Sequence, residues 1–234
     1  MVSIWQSAVR STRSPRRTLA VLNLAFVAFS IGLLAFPASI FAKEEPTVNI
    51  SVLVYNYAGA APGTLAGAEH QADRILNQAG VRAVWFDCSV KAGKLDEKSI
   101  CRSGVGNQNI VLRLLSRHTP TRVPDFAFGF AVSPGLASIY YRDAAGMAER
   151  QNLRSELPTL LGCLIAHEIG HLLLNSFGHS LTGVMQAEWG PTQLQQSLTG
   201  LMTFTLAQSA LIREQVQTRM SLSQDGRAAE TSSR

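Results

Sequence analysis

The stretch that decides the fold is residues 157–174, LPTLLGCLIAHEIGHLLL, which contains HEIGH at residues 167–171. Pro158 suits the first turn of a helix, where its missing backbone N–H is not needed. The segment is apolar on nearly every side, so we expect a helix buried in the core of a globular domain. On such a helix, His167 and His171 are four residues apart and project from the same side.

These polar residues need compensation, because burying two imidazoles and a carboxylate costs free energy that a bound metal ion would offset. His167 and His171 can direct ring nitrogens at one ion, while Glu168 reaches a water on that ion without being a ligand. The pattern predicts a catalytic zinc ion with Glu168 as general base. The reaction expected is hydrolysis of a peptide bond by zinc-bound water that Glu168 deprotonates.

A third zinc ligand is expected, because catalytic zinc sites usually have three protein ligands and an open position. His179 follows the helix closely and is the first candidate, and Glu188 is the alternative. Asn175 or Gly178 could adopt a left-handed conformation that ends the helix and turns the chain back towards the metal.

Together these residues resemble the metzincin clan of zinc metallopeptidases, which carry H-E-x-x-H-x-x-G-x-x-H and then a tight turn containing methionine. HEIGH matches directly, His179-Ser180 looks like the third ligand with its following serine, and residues 183–185 (GVM) look like the methionine turn. The whole run of residues 167–185 is also similar to that of uncharacterised exported bacterial proteins with a metzincin-like core.

Two positions depart from the clan pattern. Leu174 stands where the clan has glycine, and His179 comes two residues later than the pattern places the third histidine. The turn after the helix must therefore be longer, or the helix must extend further.

The resemblance implies a zincin-like domain with a twisted, mainly parallel sheet, an antiparallel edge strand, a buried active-site helix and a C-terminal helix. It also implies an edge strand above the cleft, for which residues 135–142 (GLASIYYR) are the candidate. An extended peptide could pair with such an edge. Tyr140 or Tyr141 could then hydrogen-bond the transition state, although ordinary strand alternation is the favoured explanation of this pair.

The remaining pattern predicts a mixed α/β fold. Apolar, β-branched runs predict five strands, at residues 47–57, 81–87, 109–115, 126–133 and 136–142. A helix capped by Thr64 and ended by Gly80 joins the first two strands in a parallel β-α-β unit. A further amphipathic helix capped by Thr203 is expected to end near Met220. The catalytic domain then spans residues 43–220, and residues 221–234 form a polar, disordered tail.

The first 42 residues are typical of an export signal, with four arginines before an apolar run at residues 19–36 and Ala42 before an acidic start. Cleavage after Ala42 is the favoured interpretation and an uncleaved membrane anchor is the alternative. Either one predicts a secreted or periplasmic protein, with membrane contact only through an uncleaved N-terminus.

The net charge of +5 does not indicate a nucleic-acid partner. Four of the 21 basic residues and none of the 16 acidic residues lie in the first 42, so the remainder is close to neutral. Of the three cysteines, Cys88 and Cys101 flank a polar loop and are expected to form a disulfide, with two free thiols as the alternative. Cys163 is expected to be a buried packing residue rather than a ligand.

Three functions remain open on this sequence: a zinc endopeptidase with a peptide or protein substrate, a non-catalytic zinc-binding module, and a hydrolase of a non-peptide amide such as one in the cell wall. Glu168 favours catalysis, because a structural zinc does not require a general base.

Overall fold

A five-stranded sheet in the order β2-β1-β3-β5-β4 forms the centre of the protein. This computed structural model describes residues 48–89, 100–106, 109–117 and 128–232. The strands are β1 (Val48–Asn56), β2 (Val81–Asp87), β3 (Asn109–Leu115), β4 (Gly129–Val132) and β5 (Leu136–Tyr140). Four strands are parallel, and β4 pairs antiparallel with β5 at the edge. The predicted mixed α/β fold with an antiparallel edge strand is confirmed, and the predicted export signal lies outside the described residues.

The sequence-based prediction that residues 135–142 form the edge strand is wrong. β5, within residues 135–142, lies inside the sheet, with Val111 of β3 paired to Leu136 on one side and Gly129 of β4 paired to Ile139 on the other. The physical reason is burial, because Ala137 and Ile139 are fully buried whereas β4 is short and partly exposed. β4 is therefore the edge strand next to β5, and β2 is the edge strand on the opposite side of the sheet.

In the described part of the chain, five α-helices accompany the sheet: α1 (Pro62–Gln78), α2 (Tyr141–Arg150), α3 (Leu157–Leu174), α4 (Pro191–Leu198) and α5 (Leu206–Ser232). α2 and α4 were not predicted. α5 continues beyond Met220 to Ser232, into the segment for which the sequence predicts a frayed tail. Thr205, and not the predicted Thr203, caps the start of α5. The Thr205 Oγ1 atom accepts a hydrogen bond from the Gln208 backbone N–H, and the Gln208 Oε1 atom accepts one from the Thr205 backbone N–H.

α3 is the central helix, with every residue from Leu160 to Leu173 buried. It packs closely on α1 because Gly162 has no side chain, and a Cβ there would stand 2.5 Å from the Ala68 carbonyl oxygen. Among the described residues, one helical segment, Arg154–Leu174, is long and apolar enough to cross a membrane, and 78% of its most apolar stretch is buried inside the protein. That burial is what a core helix requires.

The two faces of the sheet carry separate apolar clusters. Val52 and Val54 of β1 pack in the large core with the helices, while Leu53 faces the other way, towards a small cluster that contains Cys88. The predicted disulfide between Cys88 and Cys101 is present at this second face. Such a bond is compatible with an exported protein.

Candidate metal centre

Three histidines lie together, two on the C-terminal half of α3 and one in the loop that follows it. His167 and His171 are one helical turn apart, and their Nε2 atoms approach to 3.1 Å. The ring of His179 lies 5.4 Å from that of His167 and 4.9 Å from that of His171. One nitrogen from each of the three lies within 4.8 Å of the others, so the structure brings together the three predicted ligands in a group that could hold one metal ion.

Backbone carbonyls set the orientation of both helix histidines. His167 Nδ1 lies 2.8 Å from the Val184 carbonyl oxygen, and His171 Nδ1 lies 2.8 Å from that of Ser176. A carbonyl can only accept, so each Nδ1 carries the proton and each Nε2 keeps its lone pair. This arrangement fixes the tautomer that a metal ligand needs and holds each ring in place.

The turn after α3 is longer than the metzincin pattern, and it brings His179 back to the helix. α3 ends at Leu174, as predicted, because Asn175 adopts the left-handed conformation (φ 48°, ψ 41°). The extra residues are held by the Ser176 hydroxyl, which accepts the Gly178 amide at 3.1 Å. The alternative of an extended helix is therefore wrong, and of the two residues proposed to end the helix, Asn175 does so.

A turn containing Met185 packs against α3 at the site. Met185 is fully buried, and a Cβ at Gly170 would lie 2.5 Å from its sulfur atom and 2.7 Å from a ring carbon of Phe204. Gly170 therefore lets this turn approach the helix, which places the Val184 carbonyl against His167. The sequence reasoning missed Gly170, although a glycine inside an apolar helix is a signal of close approach.

Glu168 is buried beside the histidines, with 7% of its surface exposed. Burial raises the pKa of its carboxyl group to about 8 and lowers the pKa of His167 to about 4. Burial also lowers the pKa of His171. Neutral imidazoles are the form that binds a metal, so these two groups are ready to act as ligands at neutral pH.

The residues considered as alternative ligands lie elsewhere. Glu188 is exposed and is not part of the histidine group. Cys163 Sγ accepts a hydrogen bond from Gln71 Nε2 at 3.4 Å, in the contact between α3 and α1, and burial raises its pKa to about 11. Cys163 is thus a packing residue, as expected.

Two aromatic side chains that the sequence reasoning did not single out border the histidines. The ring of Trp189 meets that of His167 edge-on at 6.0 Å, and the ring of Phe177, which is 67% exposed, lies 6.3 Å from that of His171. Tyr140, in contrast, is buried at the end of β5, and Tyr141 begins α2. Burial, with a smaller contribution from the Glu168 carboxylate, raises the pKa of the Tyr140 phenol.

No protein-family model matches this sequence, and no curated protein matches it. Among solved structures, the chain is similar to a zinc-dependent peptidase from Methanocorpusculum labreanum (strain Z), at 14% sequence identity and a TM-score of 0.49. The aligned region covers 69% of this chain and 99% of that one.

Proposed function

We propose that this protein is an exported, zinc-dependent metallopeptidase of the metzincin type that cleaves peptide bonds. The observation that carries the proposal is that His167, His171 and His179 form a group that could hold one metal ion, while the buried Glu168 follows His167 directly in the chain. Three nitrogen ligands suit zinc and leave one coordination position open. A site built only to hold a structural ion would gain nothing from a buried glutamate next to its ligands.

The chemistry divides between the ion and the side chains. When bound, zinc supplies a Lewis acid that polarises the scissile carbonyl and acidifies water. Glu168 takes the proton from the attacking water and then donates it to the leaving amine. A cation held by the three histidines would favour the ionised carboxylate of Glu168, which is the form that accepts the proton.

The turn at residues 183–185 supports the metzincin assignment. Met185 in this turn is buried against α3, the helix that carries HEIGH. The carbonyl oxygen of Val184 in the same turn orients the imidazole of His167. Ser180, which follows His179, donates its amide to the Met185 carbonyl at 2.8 Å. The third histidine and the methionine turn therefore form one connected loop beside the helix.

The partner we propose is a peptide or protein substrate in the secreted or periplasmic space. The Cys88–Cys101 disulfide and the apolar N-terminal stretch that follows four arginines support export. Nucleic acid is not part of the proposal, and membrane contact would come only from an uncleaved N-terminal segment.

Catalysis is tested by metal analysis together with a casein or peptide-library assay on wild type and Glu168→Gln. We expect one zinc per chain in both proteins and a loss of kcat on the order of 1,000-fold in the variant, because general acid–base catalysis is lost. Glu188→Gln, an exposed glutamate outside the site, is the matched control and should retain activity. Zinc without cleavage would favour a zinc-binding module or a non-peptide amide as substrate, and purified protein without zinc would contradict the proposal.

The third ligand is tested by comparing zinc affinity in His179→Ala and Glu188→Ala. We expect His179→Ala to weaken binding by at least about 100-fold, since the loss of residues that merely orient ligands already costs about 10–100-fold. Glu188→Ala should bind zinc like wild type in a competitive chelator titration. The opposite order would assign the third ligand to Glu188.

A further inference from the structure

The edge strand β4 passes unusually close to the carboxyl group of Glu168. A Cβ built on Gly129 would lie 2.8 Å from Glu168 Oε1 and 3.0 Å from Glu168 Cγ. It would also lie 2.5 Å from the carbonyl oxygen of Ser138 on β5. These separations are shorter than a methyl group tolerates, so Glu168 and the Ser138 carbonyl occupy the space that any side chain at Gly129 would need.

Neither neighbour can move aside easily. Glu168 is buried, and its neighbours His167 and Ile169 on α3 are buried too. The Glu168 side chain therefore has little room for another rotamer. The Ser138 carbonyl belongs to the backbone of β5, which is paired on both sides. A larger residue at position 129 must therefore push Glu168 out of place or push β4 away from the sheet.

We propose that Gly129 is a positioning residue for the general base, a role that rests on the proposed peptidase function. Gly129 and Ile139 are register partners, and Ile139 packs in the core with the helices, so both positions face α3. The missing side chain of Gly129 leaves the volume in which the buried Glu168 carboxyl group lies. Glycine at this position keeps the edge strand and the base within contact distance.

The role predicts a specific kinetic signature. Gly129→Ala should lower kcat by about 100-fold, the loss expected from a misplacement of about 1 Å at a reacting group. Zinc affinity and KM should stay within about threefold of wild type, because the three atoms nearest to the added Cβ belong to Ser138 and Glu168 and not to a histidine. Gly106→Ala, where the nearest atom to the added Cβ is 3.9 Å away, is the matched control and should retain kcat.

A double-mutant cycle in the metal-free protein tests the contact without using activity. The denaturant midpoint is measured for wild type, Gly129→Ala, Glu168→Ala and the double variant. We expect Gly129→Ala to lower the midpoint in wild type and to lower it by less in the Glu168→Ala background. The contact with the Ser138 carbonyl is present in both backgrounds and cancels in the cycle.

The outcomes separate this inference from the proposed function. Equal midpoint losses in the two backgrounds, or a Gly129→Ala enzyme with wild-type kcat, would overturn the positioning role. If wild type cleaves no peptide while the midpoints still show coupling, the contact between Gly129 and Glu168 is upheld and the peptidase proposal fails.

Discussion

At the scale of single residues, burial shifts the pKa values of the adjacent residues His167 and Glu168 in opposite directions. It raises the pKa of the Glu168 carboxyl to about 8 and lowers the pKa of the His167 imidazole to about 4, because both groups lose solvation of their charged forms. In the metal-free protein both groups are therefore neutral near pH 6. A cation held by the proposed histidine ligands would favour the ionised form of the Glu168 carboxyl group.

This burial predicts a pH dependence for the stability of the metal-free protein. A raised carboxyl pKa means that the folded state binds more protons than the unfolded state between the ordinary value of 4.5 and about 8, so stability falls as pH rises through that window. The lowered histidine pKa values act in the opposite sense below their ordinary value of 6.5. Above that pH, Glu168 dominates, and we expect a loss of about 2 kcal/mol by pH 8.

Urea unfolding in the presence of a chelator at several pH values between 6.5 and 8 measures this effect. Glu168→Gln should remove the decline, because an amide does not titrate, whereas the exposed control Glu188→Gln should keep it. A decline that persists in Glu168→Gln would assign the proton to another group.

At the scale of elements, the position of α3 depends on glycines that allow close contact. Gly162 faces α1, where an added Cβ would lie 2.6 Å from Gln71 Cβ as well as close to the Ala68 backbone. Gly170 faces the methionine turn on another side of the same helix. The helix is thus held between α1 and the turn that orients His167.

Gly162→Ala is expected to lower the free energy of unfolding by about 1–3 kcal/mol, the usual cost of overpacking. Helix propensity alone would predict the opposite change in the free energy of unfolding, since it favours alanine over glycine by up to about 1 kcal/mol. Gly63→Ala in α1, where an added Cβ meets no atom within 4 Å, is the matched control and should be neutral or stabilising. Chemical denaturation of the two variants decides, and a stabilised Gly162→Ala would contradict the close packing of α1 on α3.

At the scale of the whole molecule, the sheet separates the histidine group from the disulfide. The histidines lie on the helix side, and Cys88 packs with Leu53 and Val111 on the opposite face. Tyr55 extends this second face by donating its hydroxyl to the Cys101 carbonyl at 2.7 Å. Stability and metal binding should therefore respond separately to changes on the disulfide face.

Replacing both Cys88 and Cys101 by alanine removes a crosslink between residues separated by 13 positions. We expect the free energy of unfolding to fall by about 3 kcal/mol, since the unfolded chain regains the entropy of the open loop. Zinc affinity should stay within about threefold of wild type, as measured by chelator competition on the folded variant. A parallel loss of zinc affinity would show that the two faces are coupled.

The sequence by itself determined the local features. Strands β2 and β3 and helix α3 were predicted with their observed ends, because apolar periodicity and β-branched runs report local burial directly. The spacing of His167 and His171 placed both on one side of a helix, and Asn175 was among the residues expected to end it. The disulfide followed from two cysteines flanking a polar loop.

Only the tertiary structure decided which strand is the edge, how His179 returns to the helix and what surrounds Glu168. Strand order depends on pairing between segments distant in the chain, and the apolar β5 gave no local sign that it lies between β3 and β4. The approach of Gly129 to Glu168 likewise joins residues of separate elements, for which sequence periodicity carries no information. The physical reason is that periodicity reports how buried a residue is, whereas contacts between elements depend on how their surfaces fit together.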